Sequence, residues 1–430
     1  NDRPLDATPS DRLGLPGAAV VAIAVLVVVA IVVRVALWPT PGLTGDLDQF
    51  VLWVHGLATR PFGNAYDQNL SFPPVITWLW GGLAAVEPAF RTVTTSAEPG
   101  MRAIMKAPAS IADVVLGLVV VWHLRATPLW AILGGAAILL HPAVIDVSAW
   151  WGQYESLYVL GGVVAFVLAV RGHSLWAAAA LAIALMTKPQ ALPFVVPFGA
   201  WFLARDGWLG ALKAALVGAV VIALLWLPFL AAGGVQGYAR NLSAYQGDIL
   251  AILSLRAWNA WWLVQEAFAG GQLVSDQGTV FGPFTLRHVG YAVAVLGELA
   301  VFGLVYRAAS RRALAYGLAA AVLVAFCFLT TMHERYAFAA LAFFVLAFPD
   351  RRAAWLALVF GAAFTLNLLA AAPPTPAIGR ALPIAGPLGV AGSLVMLAVL
   401  IATLGVLREA GNDLGDEPPV AGPPVDARAA

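Results

Sequence analysis

Residues 18–38 read AAVVAIAVLVVVAIVVRVALW, and this run of 21 residues with one charge decides the fold class. A helix of about 20 apolar residues crosses the roughly 30 Å hydrocarbon core of a bilayer. Hydrophobic residues make up 61% of the 430-residue chain, whereas soluble domains contain about 45–50%. No small-residue cleavage site follows the run, so we interpret it as an anchor rather than a removed signal peptide. The sequence predicts an all-α polytopic membrane protein.

The same apolar character continues along the chain and predicts about twelve membrane-spanning helices. Segment 72–88 begins with Pro73 and Pro74 and carries Glu87, so we interpret it as a juxtamembrane or re-entrant helix. Cys327 is the only cysteine, which excludes disulfides and thiolate metal sites. After the first span, the predicted crossings are centred on 109–124, 128–145, 156–170, 174–187, 190–204, 211–231, 286–306, 313–331, 336–348, 354–371 and 384–407.

Short loops rich in Lys and Arg predict the orientation, because these residues stay on the cytoplasmic side of a membrane. Both termini are then cytoplasmic, and most other ionisable residues face outward. The Ala-, Val-, Leu- and Arg-rich composition with little lysine is typical of a GC-rich bacterium, and hence of its plasma membrane. The predicted parts are a cytoplasmic tail at 1–16, one transmembrane domain at 17–408 with outer loops at 45–108 and 232–285, and a disordered cytoplasmic tail at 409–430.

The first outer loop begins GDLDQFVLWVHGL at residues 45–57 and concentrates charge directly after the first span. Its apolar positions, 50, 51, 53, 54 and 57, predict an amphipathic helix lying on the bilayer. Asp46 at the start of this helix is either an N-cap or a general base for an acceptor hydroxyl.

Cations on the outer side come from distant parts of the chain. Lys188 lies between two apolar runs in TKPQ, where it either snorkels to the surface or serves a site. His333, Glu334 and Arg335 are consecutive in MHERY, either as a salt-bridged cap or as part of a site. The functional alternative joins Lys188, Arg256, His333 and Arg335 into a cationic pocket for a phosphate, since a guanidinium binds phosphate oxygens in pairs.

Five motifs occur in the order of a known family. They are GDLDQF (45–50) with LSFPPVITWLW (70–80), HPAVIDVSAWWGQYESLYVL (141–160), TKPQALPFVVP (187–197), LSLRAWNAWWL (253–263) and MHERY (332–336). Together they resemble the GT-C class of integral-membrane glycosyltransferases, in particular the dolichyl-phosphate-glucose-dependent glucosyltransferases of N-glycan assembly and the actinobacterial multi-pass mannosyltransferases.

This resemblance implies an inverting transfer of mannose or glucose from a polyprenyl-phosphate donor, without a covalent intermediate, on the outer membrane face. It implies that Asp46 is the catalytic base and that Lys188, His333 and Arg335 lie near the donor phosphate, where the positive charge of Arg256 would also fit. The predicted sugar and acceptor pocket consists of Asp48, His55, Gln153, Glu155, Gln190, Asn259 and Glu334.

The sequence departs from the family pattern at four positions. Ser71 and Phe72 stand where the family has Asp and Tyr, which puts the acceptor-side contacts in doubt. Glu155 replaces an aspartate of the WGQ motif, and Arg256 replaces an asparagine.

The expected chemistry needs a base for the acceptor hydroxyl and cations for the departing phosphate. We predict no cofactor, and metal-independent chemistry is favoured because carboxylates at positions 46 and 48 do not face each other on a helix. The expected partners are a polyprenyl-phosphate-linked sugar, a lipid-linked glycan, polysaccharide or protein acceptor, and membrane lipids, without nucleic acid. Two alternatives stay open: a secondary transporter, and a non-catalytic partner such as a flippase subunit.

Overall fold

A computed structural model describes residues 15–248 and 251–410, and these form an almost entirely helical fold. Most of the two predicted tails, 1–16 and 409–430, lies outside the described residues. The helices are α1 (Gly17–Leu37), α2 (Thr44–Thr59), α3 (Pro74–Val86), α4 (Pro99–Leu124), α5 (Pro128–Leu139), α6 (Pro142–Ile145), α7 (Glu155–Ala169), α8 (Ser174–Leu185), α9 (Val195–Leu230), α10 (Gly234–Asp248), α11 (Ala260–Ala269), α12 (Leu286–Ala308), α13 (Arg311–Phe328), α14 (Phe338–Leu346), α15 (Arg351–Ala371), α16 (Pro376–Ala381) and α17 (Pro387–Ala410).

Short elements complete the fold between these helices. A π-helix covers Asp146–Trp151, and 3₁₀ turns cover Phe62–Asp67, Pro88–Arg91, Pro189–Phe194 and Glu334–Ala337. The strands are β1 (Ser254–Leu255), β2 (Thr279–Phe281), β3 (Phe284–Thr285) and β4 (Met332–His333).

Membrane-spanning helices dominate the described residues, which confirms an all-α polytopic membrane protein. Seven helical segments are long and apolar enough to cross a bilayer, and the bent pair α5 and Pro142–Trp151 would make an eighth. Helices α7, α8 and α14 have 15, 12 and 9 residues, about 14–22 Å of helix and less than the hydrocarbon core. The count of twelve crossings therefore stays a prediction.

Helix α9 contains a sharp break that divides it into two arms. Gly207 has φ 68° and ψ −177°, a conformation open essentially only to glycine. The break falls between the predicted crossings 190–204 and 211–231, so the two apolar segments are separate arms of one long helical stretch, Pro189–Leu230.

Helices α2 and α3 form a small aromatic core beside the spans. Phe50, Trp53, Trp80 and Tyr154 pack with ring centroids 5.4–5.9 Å apart. The predicted amphipathic helix at the start of the first outer loop is thus confirmed as α2, but protein rather than lipid covers its apolar face. Helix α3 has 13 residues, about 20 Å, which is too short for a crossing.

A buried hydrogen-bond network around Asp113 links α1, α4, the π-helix and α7. Arg34 in α1 donates to Asp113 in α4 across 2.8 Å, and both side chains are almost completely buried. Asp113 also accepts hydrogen bonds from Ser148 in the π-helix and Ser156 in α7. This network connects the first span to both ends of the WWGQYE segment.

Strand pairing joins two distant motifs. β1 and β4 are parallel, with Ser254 opposite Met332 and Leu255 opposite His333. The LSLRAWN and MHERY segments are therefore adjacent in the fold.

Candidate functional site

A cavity of about 960 Å³ runs from polar side chains at one end of the helix assembly into the membrane-spanning region. Its polar end includes Asp46, Gln153, Lys188, Gln190 and Arg335. Its other end is an apolar groove between α12, α13 and the 3₁₀ turn Pro189–Phe194 with the start of α9. The groove is lined by Leu192, Val196, Val295, Leu299, Phe302, Val322 and Phe326. Five of the predicted site residues thus meet in one cavity.

Asp46 lies in the first turn of α2 but is not its N-cap, because Leu43 holds that position and no side-chain cap is formed. The Oδ2 atom of Asp46 accepts the indole N–H of Trp151 at 2.9 Å and the amide of Gln153 at 2.6 Å. Among the described residues, no side chain or backbone group bonds the other oxygen, Oδ1. One oxygen of the carboxylate is held in place, and the other is available to a ligand.

The segment that holds Asp46 has an unusual backbone. The π-helix Asp146–Trp151 ends at Gly152, whose φ is 91°. A Cβ at this glycine would lie 2.6 Å from Cδ2 of Leu47, closer than real carbon contacts. Gly152 therefore allows the chain to turn tightly against α2 and direct Trp151 and Gln153 to Asp46. These contacts also confirm that the GD and WWGQYE motifs lie at the same end of the molecule.

Lys188 lies in extended backbone between α8 and the following 3₁₀ turn, and its side chain is buried. Its Nζ donates to Glu155 Oε1 at 2.7 Å and lies 3.4 Å from Gln153 Oε1. Burial lowers the pKa of Lys188, and the carboxylate of Glu155 opposes this shift. The snorkelling alternative is wrong, because the ammonium group points into the protein.

Arg335 links the WWGQYE and MHERY motifs at the polar end. Its Nε lies 3.3 Å from Glu155 Oε1, and its Nη1 donates to Glu334 Oε1 and to His333 Nδ1, each at 3.1 Å. Its guanidinium also lies 4.9 Å from the ring centroid of Trp151. His333, Glu334 and Arg335 form a buried ion-pair network, and Arg335 is the one of these three that lines the cavity.

His333 adds no positive charge at neutral pH. Burial and the neighbouring Arg335 lower its pKa below the ordinary value of 6.5. Its Nδ1 accepts from Arg335, and its Nε2 is buried without a partner among the described residues.

The polar end differs from the predicted cationic pocket. Among the side chains that the structure describes there, Lys188 and Arg335 are the two cations, and the carboxylates of Asp46, Glu155 and Glu334 lie around them. Each cation already has a carboxylate partner because unpaired charges are too costly to bury.

Four predicted residues lie away from the cavity lining and make structural contacts. The guanidinium of Arg256 donates to the carbonyl of Ala371 and does not line the cavity, although the backbone of Arg256 pairs with that of His333. Asp48 accepts from Ser96, and His55 contacts the carbonyl of Phe90.

Asn259 also serves the fold rather than the cavity. Its Oδ1 caps α11 at Trp262, and its Nδ2 donates to the carbonyl of Phe326. Glu155, Glu334 and His333 form a layer behind the lining and reach the cavity only through Lys188 and Arg335. Of the residues predicted for the sugar and acceptor pocket, Gln153 and Gln190 line the cavity.

The sequence analysis missed Gln49 and Glu298, which line the cavity, and Trp151, which contacts Asp46. Gln49 lies three positions after Asp46, so helical periodicity could have placed it on the same face. Trp151 was part of a quoted motif, but nothing in the sequence pairs it with Asp46. Glu298 is the one acidic residue inside the apolar α12, and both its oxygens lack partners in the described part of the chain.

No group of three or more His, Cys, Asp or Glu side chains that could hold a metal ion occurs among the described residues. Comparison with protein-family models and with curated proteins finds no match to this chain.

Proposed function

We propose that the protein is a membrane glycosyltransferase that moves mannose or glucose from a polyprenyl-phosphate donor to an acceptor hydroxyl, at the outer face of a bacterial plasma membrane. One observation carries the proposal: Asp46, Lys188 and Arg335 line a single cavity whose other end is an apolar groove among membrane-spanning helices. A carboxylate, two cations and a lipid-sized groove match the base, the phosphate and the isoprenoid chain of such a reaction.

The groove suits the isoprenoid part of a donor. Its lining on α12 extends from Tyr291 to Phe302, a rise of about 16 Å. Leu299 and Val295 are more than half exposed beside it, so the groove is open toward the lipid region. A lipid-linked donor could therefore enter from the bilayer and place its phosphate beside Lys188 and Arg335.

The proposed reaction needs no group beyond these side chains. The bond between the sugar C1 and the phosphate oxygen breaks, and its electron pair stays on the phosphate. The acceptor oxygen bonds to C1 from the opposite side and gives its proton to Oδ1 of Asp46. Lys188 and Arg335 stabilise the negative charge that grows on the departing phosphate, which is most effective where water is excluded.

Reconstituted protein tests the proposal with a panel of polyprenyl-phosphate-linked hexoses and a membrane extract as acceptor. We expect release of polyprenyl phosphate with one or more donors and much slower release by Lys188→Met. Lys213→Met is the matched control, because Lys213 is exposed on α9 and should have no effect. Absence of product with every donor would contradict the proposal.

Glu298 favours a second candidate function, secondary transport. It is a carboxyl group inside a predicted span, it lines the cavity, and it has no partner among the described residues; such groups often mark ion and substrate pathways. Uptake of a labelled sugar into proteoliposomes, abolished by Glu298→Gln and without any lipid-linked product, would support transport over transfer.

A further inference from the structure

We propose that Glu155 is a counter-charge that weakens the hold of Lys188 and Arg335 on phosphate, so that polyprenyl phosphate leaves after transfer. The inference rests on the proposed function and assigns Glu155 to product release instead of the sugar pocket.

The geometry places Glu155 behind both cations. Its Oε1 lies 2.7 Å from Nζ of Lys188 and 3.3 Å from Nε of Arg335, and its side chain is fully buried. Lys188 and Arg335 reach the cavity, whereas Glu155 does not. A phosphate in the cavity and the carboxylate of Glu155 would therefore approach the same two cations from opposite sides.

Lys188 and Arg335 are the only described groups that contact the carboxylate of Glu155. Its Oε2 is buried and has no hydrogen-bond partner among the described residues. No further donor therefore spreads the charge, and Glu155 opposes any second anion on Lys188 and Arg335. A charge in a low-dielectric site acts strongly over such short distances.

The negative charge of the bound ligand increases during the proposed reaction. The repulsion from Glu155 would therefore be stronger for the product than for the donor. The donor is a phosphodiester with one negative charge, whereas the product is a phosphate monoester that carries between one and two at neutral pH. Cations that stabilise the growing charge would also hold the product most tightly. Glu155 would thus penalise the product more than the donor.

Binding of farnesyl phosphate, a short isoprenyl phosphate monoester, tests the inference on the full-length protein in detergent. Farnesol, which lacks the phosphate, reports the contribution of the groove alone. We expect Glu155→Gln to bind farnesyl phosphate about tenfold more tightly than the wild type, the scale of one screened charge interaction, with farnesol binding unchanged. In the transferase assay, added polyprenyl phosphate should inhibit this variant at correspondingly lower concentrations.

Asp350→Asn is the matched control, because Asp350 pairs with Arg312 at 2.9 Å and does not line the cavity. It should leave farnesyl phosphate binding unchanged. Weaker or unchanged binding by Glu155→Gln would overturn the inference and make Glu155 a scaffold that only positions the cations.

A second variant covers the case in which Glu155→Gln does not fold. Glu155→Asp keeps the charge but withdraws it from Lys188 and Arg335 by one methylene, so binding should tighten to a smaller degree. Binding by Glu155→Asp that is no tighter than wild type would overturn the inference as well. Failure of the proposed function gives a different result. In that case the wild type itself would bind farnesyl phosphate no more tightly than farnesol.

Discussion

The indole N–H of Trp151 donates to Oδ2 of Asp46 across 2.9 Å, although 105 positions separate the two residues in the chain. The same indole ring lies 4.9 Å from the guanidinium of Arg335. One aromatic side chain thus contacts both the proposed base and a proposed phosphate ligand. This contact fixes the distance between the two chemical halves of the site.

Replacing the indole of Trp151 should slow the proposed transfer without weakening the binding of the donor. Trp151→Phe keeps a ring beneath Arg335 but removes the N–H that holds Asp46. A hydrogen bond to a charged group contributes about 1.5–3 kcal/mol, so we expect turnover to fall roughly tenfold to a hundredfold. Steady-state kinetics with the polyprenyl-phosphate donor measure this loss. Trp150→Phe, at the neighbouring position, should keep wild-type turnover, and an equal loss in both variants would contradict the assignment.

Gly152 should be intolerant of any side chain. Gly152→Ala forces an L-residue to φ 91° and places its Cβ 2.6 Å from Leu47. A residue held in such a sparsely populated conformation costs about 1–3 kcal/mol, so thermal unfolding should occur at a clearly lower temperature. Gly100→Ala is the control, because nothing lies within 4 Å of its Cβ position in α4. Equal melting temperatures for the two variants would show that the turn is not constrained.

The buried pair of Arg34 and Asp113 should respond differently to single and double substitution. Arg34→Leu leaves the Asp113 carboxylate buried without its cation, and breaking a buried pair costs about 3–5 kcal/mol. The double variant Arg34→Leu with Asp113→Asn removes the charge while keeping an acceptor for Ser148 and Ser156. We expect it to unfold at a higher temperature than the single variant. If the double variant is the less stable one, the carboxylate does not depend on Arg34.

The stability of the protein should decrease as the pH falls below about 6.5, the ordinary pKa of histidine. Burial beside Arg335 lowers the pKa of His333 in the folded protein. Below pH 6.5 the unfolded chain therefore binds a proton that the folded protein does not, and this favours unfolding. His333→Asn keeps an acceptor for Arg335 but does not titrate. Its melting temperature should fall less between pH 7.5 and 5.5 than that of the wild type, and identical slopes would exclude His333 as the cause.

The sequence predicted the parts of this structure that depend on local patterns. The run at 18–38 became α1, and the apolar positions of 45–57 became the buried face of α2. It could also place the polar motifs at one end of the molecule, because loops between spans must lie at one face or the other.

The pairing of charges could not be predicted, because it depends on which side chains meet across the fold. Arg256 was grouped with Lys188 by its charge alone, yet its side chain turns to the carbonyl of Ala371. Glu155 was assigned to a sugar pocket, yet it lies behind the lining and contacts both Lys188 and Arg335. The partner of the buried Arg34 could not be predicted either, because Asp113 lies 79 positions away in the chain.

The rate of polyprenyl phosphate release by Asp46→Asn, compared with the wild type under single-turnover conditions, tests the central claim most directly. The amide keeps the size of the side chain but cannot take a proton, and a general base contributes about 10²–10⁴-fold to a rate. We predict a loss in this range, with farnesyl phosphate binding no weaker than in the wild type, because Lys188 and Arg335 are unchanged. Wild-type turnover by Asp46→Asn would contradict the account.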